Sequence, residues 1–125
     1  MRRSRAFVLA FFLLSPTLIT YASAQNVPQC PISGSLSDWG ANSIGYIEVG
    51  SGQGCLFALN VRGAILSSSV SQRPAHGRLQ RLNRSSYIYR SRAGYSGSDT
   101  FSVRAAGQGP YGSGTSVITI NATVQ

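Results

Sequence analysis

Hydrophobic and polar residues alternate with a period of two through the C-terminal end of the chain. Ser116, Ile118, Ile120, Ala122 and Val124 fall on one side, and Thr115, Val117, Thr119, Asn121 and Thr123 on the other. Successive side chains of a strand point to opposite faces, so this run predicts a half-buried strand. Phe101, Val103 and Ala105 alternate in the same way with Ser102 and Arg104, and Tyr87 and Tyr89 flank Ile88 in a shorter run. Upstream, Ile44 to Val49 and Cys55 to Val61 are separated by Gly50-Ser51-Gly52-Gln53-Gly54. Glycine adopts positive φ at no steric cost, so this reads as a hairpin. In its second strand Cys55, Phe57 and Leu59 share the inward face. Gly63 to Val70 and Gly77 to Leu82 are shorter strand candidates, split by Ser71-Gln72-Arg73-Pro74-Ala75-His76. Beyond the leader described next, no segment of helix length places apolar residues at three- and four-residue spacing. About seven short strands with Gly, Pro and Ser between them predict an all-β sandwich, with Trp39 plugging one end.

The N-terminus has a different pattern. Arg2, Arg3 and Arg5 precede an apolar run from Ala6 to Leu14, and Ala22-Ser23-Ala24 offers small residues for cleavage. These are the three parts of a secretory signal peptide, predicted over residues 1–24, which leaves residues 25–125 as one domain. The apolar run is broken by Ser15-Pro16, short of the roughly twenty residues that cross a bilayer, so no stable membrane insertion is expected. The residues around Arg2-Arg3 lack the twin-arginine context, and Val27-Pro28-Gln29 before Cys30 is not a lipid-attachment box. The protein is expected in the periplasm or the external medium.

Removing the leader takes three of the eleven cations, and the eight left, all arginine, face Asp38, Glu48 and Asp99 for a net +5. Arginine rather than lysine favours planar, bidentate contact with carboxylate or phosphate. The two cysteines, Cys30 and Cys55, are expected to pair in an oxidising compartment, stabilising the fold by roughly 3 kcal/mol. A redox or metal role is disfavoured by the absence of C-x-x-C spacing and by a supply of one histidine and three scattered acids. No cofactor is expected.

From Pro74 to Val124 the chain resembles a family. Pro74-Ala75-His76-Gly77, then Tyr87-Ile88-Tyr89, then Gly94-Tyr95-Ser96-Gly97-Ser98-Asp99-Thr100-Phe101 and a closing Val-Ile-Thr-Ile strand look like the bacterial immunoglobulin-like, cadherin-like modules. The resemblance implies a single immunoglobulin-like sandwich and an envelope or surface location, and says far less about activity. This chain departs from the family's pattern at Gly107, a place that is often acidic in tandem modules, and at Ser91, where proline is common. The motif also has a reading of its own. Gly94 and Gly97 allow a sharp loop, Tyr95 folds over the end of the sandwich, Asp99 accepts bonds from loop amides, and Phe101 enters the core. A calcium role for Asp99 is the weaker alternative, because calcium takes six to eight oxygens, usually from several carboxylates.

Catalytic groups are scarce. His76 is the sole histidine and sits in a turn-like Pro-Ala-His-Gly context, with no nucleophile elbow in the chain. Asp38, Glu48 and Asp99 do not suggest a glycosidase pair. The sequence therefore predicts a protein that is not an enzyme. Arg73, Arg78, Arg81, Arg84, Arg90 and Arg92 crowd into about twenty residues beside Tyr87, Tyr89 and Tyr95. On a hairpin they would form a surface for an anionic partner, an envelope polysaccharide or an envelope protein. Nucleic acid is not expected, since an exported protein seldom meets it and no nucleic-acid motif is present. The alternative function is a small secreted inhibitor that inserts an exposed loop, Ser71 to Arg78 or Gly107 to Gly114, into an enzyme. Asn83-Arg84-Ser85 and Asn121-Ala122-Thr123 match a glycosylation pattern that the bacterial character argues against using.

Overall fold

The computed structural model describes residues 27–35, 38–59 and 61–125. The signal-peptide reading of residues 1–24 lies outside them. The described chain forms eight strands and no helix: β1 (Ser33–Ser35), β2 (Ser43–Val49), β3 (Gly54–Ala58), β4 (Ala64–Gln72), β5 (Gly77–Arg81), β6 (Ser86–Ser91), β7 (Gly97–Gly109) and β8 (Gly112–Val124). They make a five-stranded sheet in the order β1-β2-β8-β7-β4 and a three-stranded sheet in the order β3-β6-β5. The count exceeds the expected seven because the short β1 pairs with the edge of β2. Three residues without an apolar alternation leave no period to read.

The alternating runs place the core. Ser116, Ile118, Ile120, Ala122 and Val124 of β8 are each at most 2 % exposed. Phe101, Val103 and Ala105 of β7 line up beside them, and Cys55, Phe57 and Leu59 face them from the other sheet. Phe57, Tyr87, Tyr89 and Phe101 form an aromatic layer, with ring centroids 6.0 Å apart for Phe57 and Tyr87 and 4.9 Å apart for Tyr89 and Phe101. Ile88, on the opposite face of β6, is buried as well, because β6 is the central strand and Leu56 and Gln80 stand directly across from it.

The expected hairpin between Ile44 and Val61 is corrected. β2 belongs to the five-stranded sheet and β3 to the three-stranded one, so Gly50 to Gln53 carries the chain from one layer to the other. Gly52, at φ +72°, makes the turn, and Gln53 N–H donates to Gly50 O at 3.0 Å. The corner is then pinned from both layers. Ser91 Oγ donates to Gly50 O at 2.8 Å, and Ser51 N–H donates to Gln125 O at 2.7 Å. With β2 released from β3, it runs parallel to β8 along seven paired residues, from Ser43↔Ile118 to Val49↔Val124.

β4 breaks the period of two. Its register against β7 shifts at Leu66 and again at Ser71. Each shift inserts an extra residue, so Ile65, Ser68 and Val70 all turn inward although they are not evenly spaced. The Cys30–Cys55 disulfide forms as expected, with the Cα atoms 5.5 Å apart. It fastens the N-terminal segment along β3, where Cys30 N–H donates to Leu56 O at 2.8 Å and Leu56 N–H to Pro28 O at 2.9 Å. Trp39 covers the end where β7 turns into β8. Its indole lies over Gly107 and Gly109, and Nε1–H donates to Arg62 O at 2.8 Å.

Candidate functional site

The connection from β4 to β5 is held by one carboxylate. Asp99, 3 % exposed at the start of β7, accepts from Ala75 N–H at 3.0 Å, His76 N–H at 3.2 Å, Tyr89 O–H at 2.6 Å and Thr100 N–H at 3.1 Å. The reading of Asp99 as an acceptor for loop amides therefore holds, and the phenol of Tyr89 adds to it. These four donors take up the lone pairs that an ion would need. Among the described residues no group of three His, Cys, Asp or Glu side chains converges on a metal-sized site. The Tyr89 hydroxyl is pushed well above its ordinary titration range, first by burial, then by the bond to Asp99 and the negative charge it carries.

His76 completes the turn. Its ring stacks on Tyr95 with centroids 4.0 Å apart and planes 5° apart, and its carbonyl accepts from Arg92 N–H at 2.9 Å. Tyr95 donates its hydroxyl to Ser98 O. Gly94 and Gly97, at φ +85° and +130°, allow the loop to close this tightly. The segment Arg73 to His76 is thereby fixed against β7 and the β6–β7 connection.

The arginine-rich segment is a hairpin, β5 paired antiparallel to β6. Its six arginines divide into two groups. Arg78 and Arg90 are direct cross-strand partners on the outer face. Arg81 lies opposite Tyr87, on the face that turns toward the core, at the strand's exposed end. Arg84 sits in the β5–β6 turn, where its carbonyl accepts from Ser68 Oγ at 2.7 Å. Asn83 Oδ1 closes that turn by accepting from Ser85 N–H at 2.9 Å.

Like charges directly across a ladder repel. Arg90 leans across Gly54 on the far side of β6, where an added Cβ would stand 3.2 Å from Nη1. The opening beside them is a shallow depression of about 400 Å³ lined by Arg78, Arg90 and Arg92 with Gly52, Gly77, Ser91 and Ala93. A second depression of about 340 Å³ shares Gly77 and Arg78 and adds Arg73, Pro74, Val70 and Leu79. Neither has an acidic residue in its lining. The structure thus brings together Arg73, Arg78, Arg90 and Arg92, and leaves Arg81 and Arg84 at the other end of the hairpin.

Gly107 to Gly114 is not an open loop. β7 and β8 stay paired as far as Gly109↔Gly112, leaving Pro110 and Tyr111 at the tip, with Tyr111 80 % exposed. What the sequence did not reveal is the direct pairing of Arg78 with Arg90. It follows from hairpin register, and a turn beginning at Leu82 in a Ser- and Asn-rich stretch was the available signal. The sequence matches no protein-family model and no curated protein.

Proposed function

We propose that this is an exported, non-enzymatic module of immunoglobulin-like fold that holds anionic polymers of the bacterial envelope or extracellular space at the Arg73, Arg78, Arg90 and Arg92 end of its β5–β6 hairpin. Strand order supports the fold assignment. Counting β2 to β8 as strands A to G, the small sheet reads B-E-D and the large one A-G-F-C, an immunoglobulin arrangement with the first strand moved beside the last. Tyr95, in the E–F connection, donates its hydroxyl to the main chain at Ser98, downstream of it, where the tyrosine of an immunoglobulin corner donates upstream. The disulfide and the tryptophan stand elsewhere than in antibody domains, tying down the first segment and covering the F–G end.

The observation that carries the binding reading is the arginine triad around one opening with no acidic lining. Guanidinium groups lining one opening present several planar donors together, which suits carboxylate, sulfate or phosphate groups repeated along a chain. Retention of the protein on immobilised heparin, used as a general polyanion, tests this. Arg78→Gln with Arg90→Gln and Arg92→Gln is expected to elute at lower salt with a shallower salt dependence. Unchanged elution would falsify the assignment.

The inhibitor reading keeps one observation in its favour. Tyr111 is presented at the tip of a fully paired hairpin, and a preformed tip loses little freedom on binding. A saturable one-to-one complex with an enzyme, indifferent to the arginine exchanges, is the outcome that favours it.

A further inference from the structure

A two-sheet sandwich has four edges, and three of them are guarded. β1 is only three residues long. β3 is covered by the segment Pro28 to Cys30. β5 carries Arg78 and Arg81 among its five residues. Short edges, covering segments and edge charges are the usual means by which a sheet avoids pairing with other chains. β4 has none of these three; a fourth device, the bulge, occurs in it at Leu66 and Ser71, toward its two ends. It is nine residues long and last in its sheet, and no described segment pairs with its outer side. Its sequence, Ala-Ile-Leu-Ser-Ser-Ser-Val-Ser-Gln, has no charge and no proline, and Leu66 is 55 % exposed. The bulges at Leu66 and Ser71 bracket Ser67 to Val70, which runs in regular register with β7. Between the bulges, alternate residues of a four-residue stretch turn their N–H and C=O groups outward at ordinary strand spacing.

The charges stand at the ends of this edge. Arg62 precedes β4 and Arg73 follows it, both exposed, and Arg104 of β7 lies opposite Ser69. No carboxylate occurs between Arg62 and Arg73. A second copy fits poorly. Two identical strands paired about a two-fold axis would set the Arg62 end of one against the Arg73 end of the other, at both ends of the seam. We infer that β4 accepts an extended peptide segment bearing acidic residues at its ends, which adds as a further strand to the five-stranded sheet. The main-chain ladder supplies affinity, and Arg62 and Arg73 select the sign of the partner and mark where it starts and stops. The inference does not rest on polymer binding at Arg78, Arg90 and Arg92; Arg73 is the one residue it shares with that site.

The probe is a blocked peptide of about eight residues, an ordinary strand length, alternating threonine and valine with glutamate at each end. It is expected to slow hydrogen exchange at β4 amides of the oxidised protein. Replacing its glutamates by lysine weakens binding by about tenfold or more, and N-methylation of alternate residues along its pairing edge abolishes it. Arg62→Glu with Arg73→Glu, at exposed positions, turns the preference to the lysine peptide. Arg78→Gln with Arg92→Gln, aimed at heparin retention, leaves peptide binding as it was. The inference is overturned by unchanged β4 exchange under saturating peptide, by equal binding of the N-methylated form, or by equal binding of the two charge forms. A concentration-dependent dimer protecting the same amides also overturns it, and assigns the edge to a second copy.

Discussion

Asp99 is buried, and its carboxylate accepts from three main-chain amides and one phenol, each donating along a fixed direction. Hydrogen bonds to an ionised acceptor are stronger than neutral ones, and leaving one unmade in a buried site is costly. Tyr89→Phe removes one donor without changing the ring, and is expected to cost about 1 to 2 kcal/mol in urea unfolding at neutral pH. The same residue gives the protein an alkaline limit. Its folded-state titration is raised above the unfolded value near 10, so the folded state keeps the proton that the unfolded state releases. Its contribution is complete below about pH 10 and is lost as pH rises toward the folded value. Urea midpoints measured across that range should fall more steeply for the native protein than for Tyr89→Phe. Equal slopes would show that the phenol is not the group responsible.

At the scale of the strand, β7 owes its long, uninterrupted course to residues that are small where Trp39 crosses it. A Cβ at Gly107 would lie 2.2 Å from Trp39 Cζ2 and 2.4 Å from Ala64 O, whereas one at Gly109 would meet its nearest neighbour, Trp39 Cδ1, at 2.9 Å. Gly107→Ala must therefore displace the indole and strain the β4 backbone. A cost of about 1 to 3 kcal/mol is expected, with a red-shifted emission from the single tryptophan, and Gly109→Ala should be milder in both. Much of β7 and β8 was legible in the sequence because, from Phe101 onward, each inward position is apolar or small and the alternation is clean. β4 was not, since two bulges destroy its period. The Gly50 to Gly54 stretch misled for a different reason: a glycine turn permits a hairpin or a passage between layers, and the choice is made by Ser91 and Gln125, which are distant in sequence. Asp99 was readable as a loop acceptor, but the division of the arginines depended on a register that no local pattern specifies.

Over the whole molecule, two sheets enclose one aromatic and aliphatic core, and the disulfide adds a covalent tie between the entering segment and β3. Cys30→Ser with Cys55→Ser is expected to lower stability by about 3 kcal/mol in urea unfolding while keeping the far-ultraviolet spectrum of strands. A loss of strand signal under native conditions would mean that the bridge is required for folding itself. The bridge has a mechanical consequence too. If the chain is pulled from its two ends, tension arriving before Cys30 crosses through sulfur directly to Cys55, and residues 31–54, with β1 and β2, bear none of it. Reduction would return that slack to the load path and set β2 against β8 lengthwise. Their seven parallel pairs would then be strained together in shear rather than opened one after another.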